Sequence, residues 1–168
     1  NLKAFDVLIA DDAALASLSN PEIANIQNQI SNYGLGLLIR SPDGKSLSKL
    51  SSSFIFNELP NQKSDAVNLK LSKDNFVFSP LKTKQDFYVK ENAALQTLIT
   101  DESQHALVVK KLSGSGKVIL SKVSSTFQWM LKGKANDYSK FWSALLNEVI
   151  KPKEKKFEAT IYPIFASQ

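Results

Sequence analysis

Two apolar runs on either side of a helical stretch constrain the fold of this chain more than any other feature. The first run, residues 5–10, ends in Asp11 and Asp12, and the second run, GLGLLIR, ends at Arg40. Strands that are buried on both faces of a sheet are nearly continuous apolar runs, and a helix between two of them makes a parallel βαβ crossover. The unit therefore predicts an open α/β sheet in which these two strands are parallel.

The segment between the two runs carries start and stop signals for a helix. Ser19 suits the N-cap, Pro21 suits an early helical position, and Glu22 lies three residues after Ser19, as in a capping box. Gly34 suits the C-terminal end, because a left-handed residue is least costly there as glycine. An apolar stripe at helical spacing completes the pattern: Ile23, Ile26, Ile30 and Tyr33.

The second half of the chain has a different pattern of apolar and polar residues. Residues 67–89 alternate apolar and polar positions, as edge strands do, and Pro80 argues against a central strand there. We predict a short helix over residues 93–100. The runs HALVVKKL and KVILSKV are joined by residues 113–116, a glycine-containing loop, and predict a β-hairpin.

A second amphipathic helix is predicted over residues 137–150. Its apolar residues are spaced for one buried face. They are Tyr138, Phe141, Trp142, Leu145, Leu146 and Val149.

Composition excludes several classes of site. The chain has 168 residues, a single-domain length, and a net charge of +5, but its lysines are scattered and Arg40 is its one arginine. This pattern does not favour a nucleic-acid partner, because such proteins concentrate arginine and lysine on one face. The absence of cysteine excludes disulfides, thiolate metal sites and a cysteine nucleophile. No run approaches the ~18 apolar residues of a membrane span. Because Asn1 directly precedes a strand, we expect a domain of a longer protein.

The best local candidate for chemistry is the end of the first strand. Asp11 and Asp12 could hold Mg²⁺ through their carboxylates, or one of them could cap the following helical turn, which we favour. Arg40 could pair with one of these aspartates or bind an anion, and ion pairing is the expected use. With Ser41, these residues form the candidate ligand-binding set. They also support an alternative: an enzyme domain that binds a metal or an anion, or a module that holds a small anionic ligand in a pocket beside Asp12 and Ser41.

Aromatic residues concentrate around the second helix. A cluster of this kind is most often core, and we expect that here for most of its members. If Phe127 or Trp129 is exposed, a surface for a neighbouring domain or partner becomes the better interpretation.

The segment 114–149, GSGKVILSKVSSTFQWMLKGKANDYSKFWSALLNEV, resembles a known family. It is similar to the end of the class I glutamine amidotransferase-like domain of large bacterial membrane-anchored proteins, which often also carry a von Willebrand factor A-like domain. In the first half, FDVLIADD and YGLGLLIR resemble two strands of that family, whereas Leu35 and the serine-rich loop over residues 41–53 depart from its pattern. The positions that match in the second half are Gly114, Gly116, Lys117, Val118, Thr126, Trp129, Phe141 and Trp142.

The resemblance implies a flavodoxin-like (Rossmann-like) three-layer α/β/α domain over residues 1–152. Its sheet would be mostly parallel, with an antiparallel hairpin near the C-terminal half, and without the first strand and helix of the family. Residues 153–168 would then form an extended segment that could begin the next domain.

The same resemblance sharpens what the chain lacks. Catalytic members use a cysteine on a strand-to-helix elbow that a histidine activates. Here there is no cysteine, no G-x-C-x-G or G-x-S-x-G, and a single histidine, His105. We therefore predict no catalytic residues, no metal and no cofactor.

The expected function is a non-catalytic structural or binding module of a larger extracytoplasmic bacterial protein. Its partners would be other domains of that parent or another protein. Nucleic acid would not be a partner, and contact with a membrane would come only through the parent chain.

Overall fold

A computed structural model describes residues 2–42, 56–60, 66–82 and 87–151. Within these ranges a six-stranded sheet has the order β1-β2-β8-β7-β6-β4, and β3 and β5 form a separate two-stranded sheet. The strands are β1 Val7–Asp11, β2 Gly36–Arg40, β3 Glu58–Pro60, β4 Lys70–Leu71, β5 Phe87–Val89, β6 Leu95–Thr100, β7 Ala106–Ser113 and β8 Gly116–Ser121. The helices are a 3-10 turn Leu2–Ala4, then α1 Asp12–Ala16, α2 Asn20–Tyr33, α3 Phe127–Leu131 and α4 Ala135–Val149.

The predicted βαβ unit is confirmed. β1 and β2 are parallel, with Val7 opposite Gly36, and β2 is also parallel to β8. The helix between them, α2, has the predicted capping box of Ser19 and Glu22. It ends at Gly34, which adopts the left-handed conformation with φ 74°.

The sheet is mixed, which corrects the prediction of a mostly parallel sheet. Only β1–β2 and β2–β8 are parallel, whereas β8–β7, β7–β6 and β6–β4 are antiparallel. The hairpin of β7 and β8 turns through Gly114 and Ser115, as predicted. The predicted helix over residues 93–100 is wrong: residues 95–100 form β6, because pairing with β7 on one side and β4 on the other outweighs local helix propensity.

The predicted three layers are present. Successive residues of β2 enter different clusters: Leu37 and Ile39 belong to one core and Leu38 to the other, so the sheet buries both of its faces. The Leu37 side packs against α2 through Ile26 and Ile30. The Leu38 side packs against α4 through Phe141, Leu145 and Val149.

Residues 66–82 form the short, irregular edge that alternation predicted. β4 has two residues, and bridges join Val67 to Leu81 and Lys70 to Val77. The predicted segment 153–168 lies outside the described residues. No helix in the described ranges is both long and apolar enough to span a membrane.

The end of α4 lies directly on the start of β2. A Cβ at Gly36 would overlap the carbonyl oxygen of Val149, so this crossing requires glycine. Gly133, by contrast, has φ 68° but no atom within 4 Å of a Cβ built on it.

We therefore expect Gly36→Ala to lower the free energy of unfolding by about 2–3 kcal/mol, since the added methyl group must displace the backbone of α4. Gly133→Ala is the control and should cost about 1 kcal/mol, because only its left-handed backbone is unfavourable. Equilibrium urea denaturation of both variants measures the difference. Equal losses would contradict the close crossing.

Candidate functional site

The carboxyl ends of three parallel strands bring three polar side chains together. Asp11, Arg40 and Ser121 are in register across β1, β2 and β8. The residues that directly follow β1, β2 and β8 are Asp12, Ser41 and Lys122, in that order. In open α/β sheets, ligands usually bind outside this edge of the sheet.

The side chains of Asp12, Ser41 and Lys122 are joined by a buried series of hydrogen bonds. Ser41 Oγ donates to Asp12 Oδ2 at 2.6 Å, and Lys122 Nζ donates to Ser41 Oγ at 3.4 Å. Asp12 Oδ1 also accepts from the backbone N–H of Ala13 at 2.7 Å. Asp12 is 4% exposed, Ser41 0% and Lys122 1%, so the chain of hydrogen bonds is shielded from water.

Glu58 of β3 completes this cluster, which we call the strand-end network (Asp12, Ser41, Lys122 and Glu58). Lys122 Nζ forms an ion pair with Glu58 Oε1, and it also lies 5.6 Å from the centroid of the Phe87 ring. A buried ammonium group costs several kcal/mol unless a carboxylate and further hydrogen bonds compensate for its lost hydration. The two-stranded sheet therefore covers the strand ends and supplies the countercharge.

Asp11 and Arg40 lie apart from this network. They form the ion pair expected for Arg40, with Nη1 3.4 Å from Asp11 Oδ1, and the side chain of Arg40 is 41% exposed and that of Asp11 58%. Asp12, by contrast, is directed into the network, because successive residues at a strand end point to opposite sides. The two carboxylates therefore do not converge. Within the described ranges no group of three or more His, Cys, Asp or Glu residues is placed to hold a metal ion.

Capping of α1 is only partly as expected. Asp11 occupies the N-cap position without a side-chain capping hydrogen bond, and Asp12 accepts from the adjacent Ala13. The principal role of Asp12 in the structure is to accept from the hydroxyl of Ser41.

Sequence reasoning identified Asp12 and Ser41 but missed Lys122 and Glu58. A lysine directly after a buried strand is usually solvated, and Glu58 stands in a stretch with no clear periodicity. One signal was available: the run SKV places Lys122 between a strand end and the buried Val123.

His105 lies at the same edge of the sheet, because β7 runs antiparallel to β8 and begins where β8 ends. Its Nδ1 is 2.9 Å from Asp101 Oδ2, and its ring stacks on Tyr88 with centroids 4.1 Å apart. The His105 side chain is 48% exposed. Asp101 and Tyr88 thus fix the orientation of a half-exposed imidazole.

The two aromatic residues considered for an interaction surface, Phe127 and Trp129, differ in burial. Trp129 is fully buried, stacks on Phe78 at 5.3 Å and donates from Nε1 to the Ser79 carbonyl oxygen at 2.8 Å. It is therefore a core residue, and the exposure on which an interaction surface at Trp129 depended is absent. Phe127 is 58% exposed and lies on α3 with the exposed Met130 and Leu131.

Comparisons with known proteins give a fold but no family assignment. No family model matches the sequence, and no curated protein matches it. Solved structures do match. Cytoplasmic Protein STM3548 from Salmonella typhimurium superposes with a TM-score of 0.57 at 13% identity, over 90% of this chain and 74% of that chain.

Two further matches are similar. Cytoplasmic Protein STM1381 from Salmonella typhimurium LT2 has a TM-score of 0.59 at 16% identity, over 89% of this chain and 74% of its own. Gan42B, a GH42 beta-galactosidase from G. stearothermophilus, has a TM-score of 0.57 at 16% identity, over 90% of this chain and 23% of its own. These similarities support the resemblance at the level of fold: the chain is structurally similar to class I glutamine amidotransferase-like domains.

The contrast between the two aromatic residues of α3 is testable. We expect Trp129→Ala to lower the free energy of unfolding by about 3–5 kcal/mol, because it removes a buried ring and leaves a cavity. Phe127→Ala, on the same helix, should change it by less than about 1 kcal/mol. Urea denaturation of both variants decides, and comparable losses would mean that Trp129 is not in the core.

The strand-end network makes a second prediction. Lys122→Met should cost about 3 kcal/mol, because it leaves the carboxylate of Glu58, whose side chain is only 17% exposed, without a countercharge. Lys140→Met is the matched control: its ion pair with Asp74 is 38% and 47% exposed, so its loss should stay below about 1 kcal/mol.

A double variant separates charge from packing. Lys122→Met combined with Glu58→Leu should regain much of the lost stability, since neither charge is then buried alone. Thermal and urea unfolding measure the stability of Lys122→Met, Lys140→Met and the double variant. If Lys122→Met is no less stable than Lys140→Met, the network does not bury an ion pair.

Proposed function

We propose that this chain is a non-catalytic domain with an amidotransferase-like fold, which serves a larger extracytoplasmic bacterial protein as a structural and binding module. Its partners are other domains of the parent protein or another protein. Nucleic acid is not a partner, and any membrane contact comes through the parent chain.

The filled strand-end edge is the observation that carries this proposal. Lys122 is the cation that a ligand at this edge would meet, and the protein's own Glu58 already occupies it. Ser41 is fully buried and donates its hydroxyl hydrogen to Asp12. A substrate would have to displace Glu58 and then compensate for the buried charge itself.

The residue inventory supports the same conclusion. Amidotransferase chemistry needs a thiolate nucleophile with a histidine base, and the 168 residues contain no cysteine. His105 is held by Asp101 and Tyr88 instead.

The parent protein and its compartment rest on the resemblance of residues 114–149 to domains of membrane-anchored proteins. The coverage of the structural matches is compatible with a module in a longer chain. The region matched in Gan42B is 23% of that chain, so a unit with this fold is found there as part of a longer polypeptide.

The second candidate is an enzyme domain that binds a metal or an anion through Asp11 and Asp12. In its favour, a cation lies close to Asp12: Lys122 Nζ is 3.4 Å from Ser41 Oγ, and Ser41 Oγ donates to Asp12. Against it, Asp11 is paired with Arg40 and Asp12 is directed into the network.

One set of assays separates the two candidates. The purified chain is tested for hydrolysis of glutamine, a p-nitrophenyl ester and a p-nitrophenyl phosphate, with and without millimolar MgCl₂. We expect no turnover above buffer and no shift of melting temperature with Mg²⁺.

Asp12→Asn, which keeps the shape of the side chain, is the control for contaminating activity. Turnover that Asp12→Asn abolishes would overturn the proposal. A rise in melting temperature with Mg²⁺ that Asp11→Ala removes would establish the second candidate instead.

A further inference from the structure

Among the described residues, the lateral edge of the sheet is open beside the first half of β6. β4 pairs only with Ile99 and Thr100, and Ser72 N–H adds one hydrogen bond to the Leu98 carbonyl oxygen at 2.9 Å. Along the described residues, no strand pairs with residues 95–97 on the side away from β7. The Leu95 N–H already donates to the Asn92 carbonyl oxygen at 3.0 Å, so another strand could use the outward-facing backbone groups of the rest of this short stretch.

This open stretch carries few of the features that normally protect a sheet edge. Natural edges are often blocked by lysine, proline or inward-pointing charges. Residues 95–97 are Leu, Gln and Thr, and a charged group, the carboxylate of Glu91, accepts a hydrogen bond from the Thr97 hydroxyl. The register shift between Thr97 and Ile99 lies where β4 ends, and such bulges are frequent beside binding sites.

A cavity of about 320 Å³ adjoins the open edge, between β6, the end of β4 and the last turns of α4. Its volume is at the lower end of the range for ligand sites, ample for one or two side chains. Its apolar lining residues are Leu71, Leu98, Ala144 and Leu145, and its charged ones are Lys73 and Glu148. We call the edge and the cavity together the β6 notch.

The charges at the β6 notch favour an acidic partner. Glu148 Oε2 lies 2.6 Å from Lys110 Nζ, and this hydrogen bond holds the pKa of Glu148 below its usual range. Glu148 is thus an anion with a close countercharge. Lys73 lies 4.0 Å from the other carboxylate oxygen of Glu148 and its side chain is 83% exposed, so it is held loosely. Glu91, which accepts a hydrogen bond from β6, adds a second carboxylate, and Lys117 adds a third lysine that acts on Glu148. Three lysines for two carboxylates leave the rim positive.

We propose that the β6 notch binds an extended acidic peptide segment of a partner domain or protein. The segment adds a strand along residues 95–97, inserts one apolar side chain between Leu98 and Leu145, and places a carboxylate beside Lys73. Strand addition of this type takes affinity from backbone hydrogen bonds and specificity from a side-chain pocket. The inference rests on the proposed binding function and names the partner's chemistry.

The experiment is a selection from a phage-displayed library of random peptides of about nine residues, a length that covers one strand. The folded 168-residue chain is the bait. We expect enriched peptides to share an apolar residue and an Asp or Glu on the same face of a strand. Fluorescence polarisation with the labelled consensus peptide then measures affinity for the wild type and for three variants.

Ala144→Trp fills the cavity and Lys73→Glu reverses the charge at the rim. Each should weaken binding about tenfold or more, since it opposes one of the two specific contacts. Lys132→Glu, which makes the same charge change at the exposed end of α3, should bind as the wild type does. Lys73 is exposed, so its variant tests the proposal even if Ala144→Trp fails to fold.

Three results would overturn the proposal: no enrichment, a consensus without acidic residues, or equal binding by all variants. Concentration-dependent dimerisation that Lys73→Glu abolishes would instead assign the β6 notch to a second copy of the chain, and would overturn it as well. None of these results depends on the hydrolysis assays, so failure here is distinguishable from catalysis by the domain.

Discussion

The burial of one ammonium group determines how the carboxyl-end edge of this sheet is built. Lys122 follows β8 into a region that its neighbours shield from water, where an unpaired charge would cost several kcal/mol. Ser41 and Glu58 compensate for that cost, and Asp12 in turn accepts from Ser41. The requirement links four segments distant in sequence: the end of each of the three parallel strands and the small sheet. The position of β3 over the strand ends thus follows from electrostatics as much as from apolar packing.

Local signals predicted the elements whose causes are local. The capping box of α2, the left-handed Gly34 and the hairpin through Gly114 all depend on residues close in sequence, and all three are present. β6 was mistaken for a helix because its strand character comes from β7 and β4, which local propensity does not register. The same error explains why the sheet was predicted to be mostly parallel. Without β6, the predicted strands gave no reason to expect antiparallel pairing beyond one hairpin.

The candidate site was predictable only in part, for a similar physical reason. Strand order and the end of each apolar run place Asp12 and Ser41 at one edge, so both could be found from the sequence. The separation of Asp11 from Asp12 follows from the alternation of side chains and could also have been anticipated. Glu58 could not, since its contact with Lys122 joins residues 64 positions apart through a two-stranded sheet. The aromatic cluster was expected to be mostly core, but the sequence did not indicate that Trp129 is buried against Phe78 while Phe127, two residues earlier, is exposed.

The strand-end edge and the lateral edge beside β6 differ in the binding free energy that each would offer a ligand. At the strand ends a ligand must first separate Lys122 from Glu58, so much of its binding free energy would be spent on restoring a buried charge. At the β6 notch no described strand covers residues 95–97, and an added strand would have to displace only the exposed hydrogen bond between Thr97 and Glu91 to gain backbone hydrogen bonds and apolar contacts in the cavity. The mixed topology creates this second edge, since the antiparallel strands extend the sheet past β8 and end in a β4 of only two residues. This difference is why we propose that a partner binds at the lateral edge beside β6 and not at the strand ends, which the protein's own side chains fill.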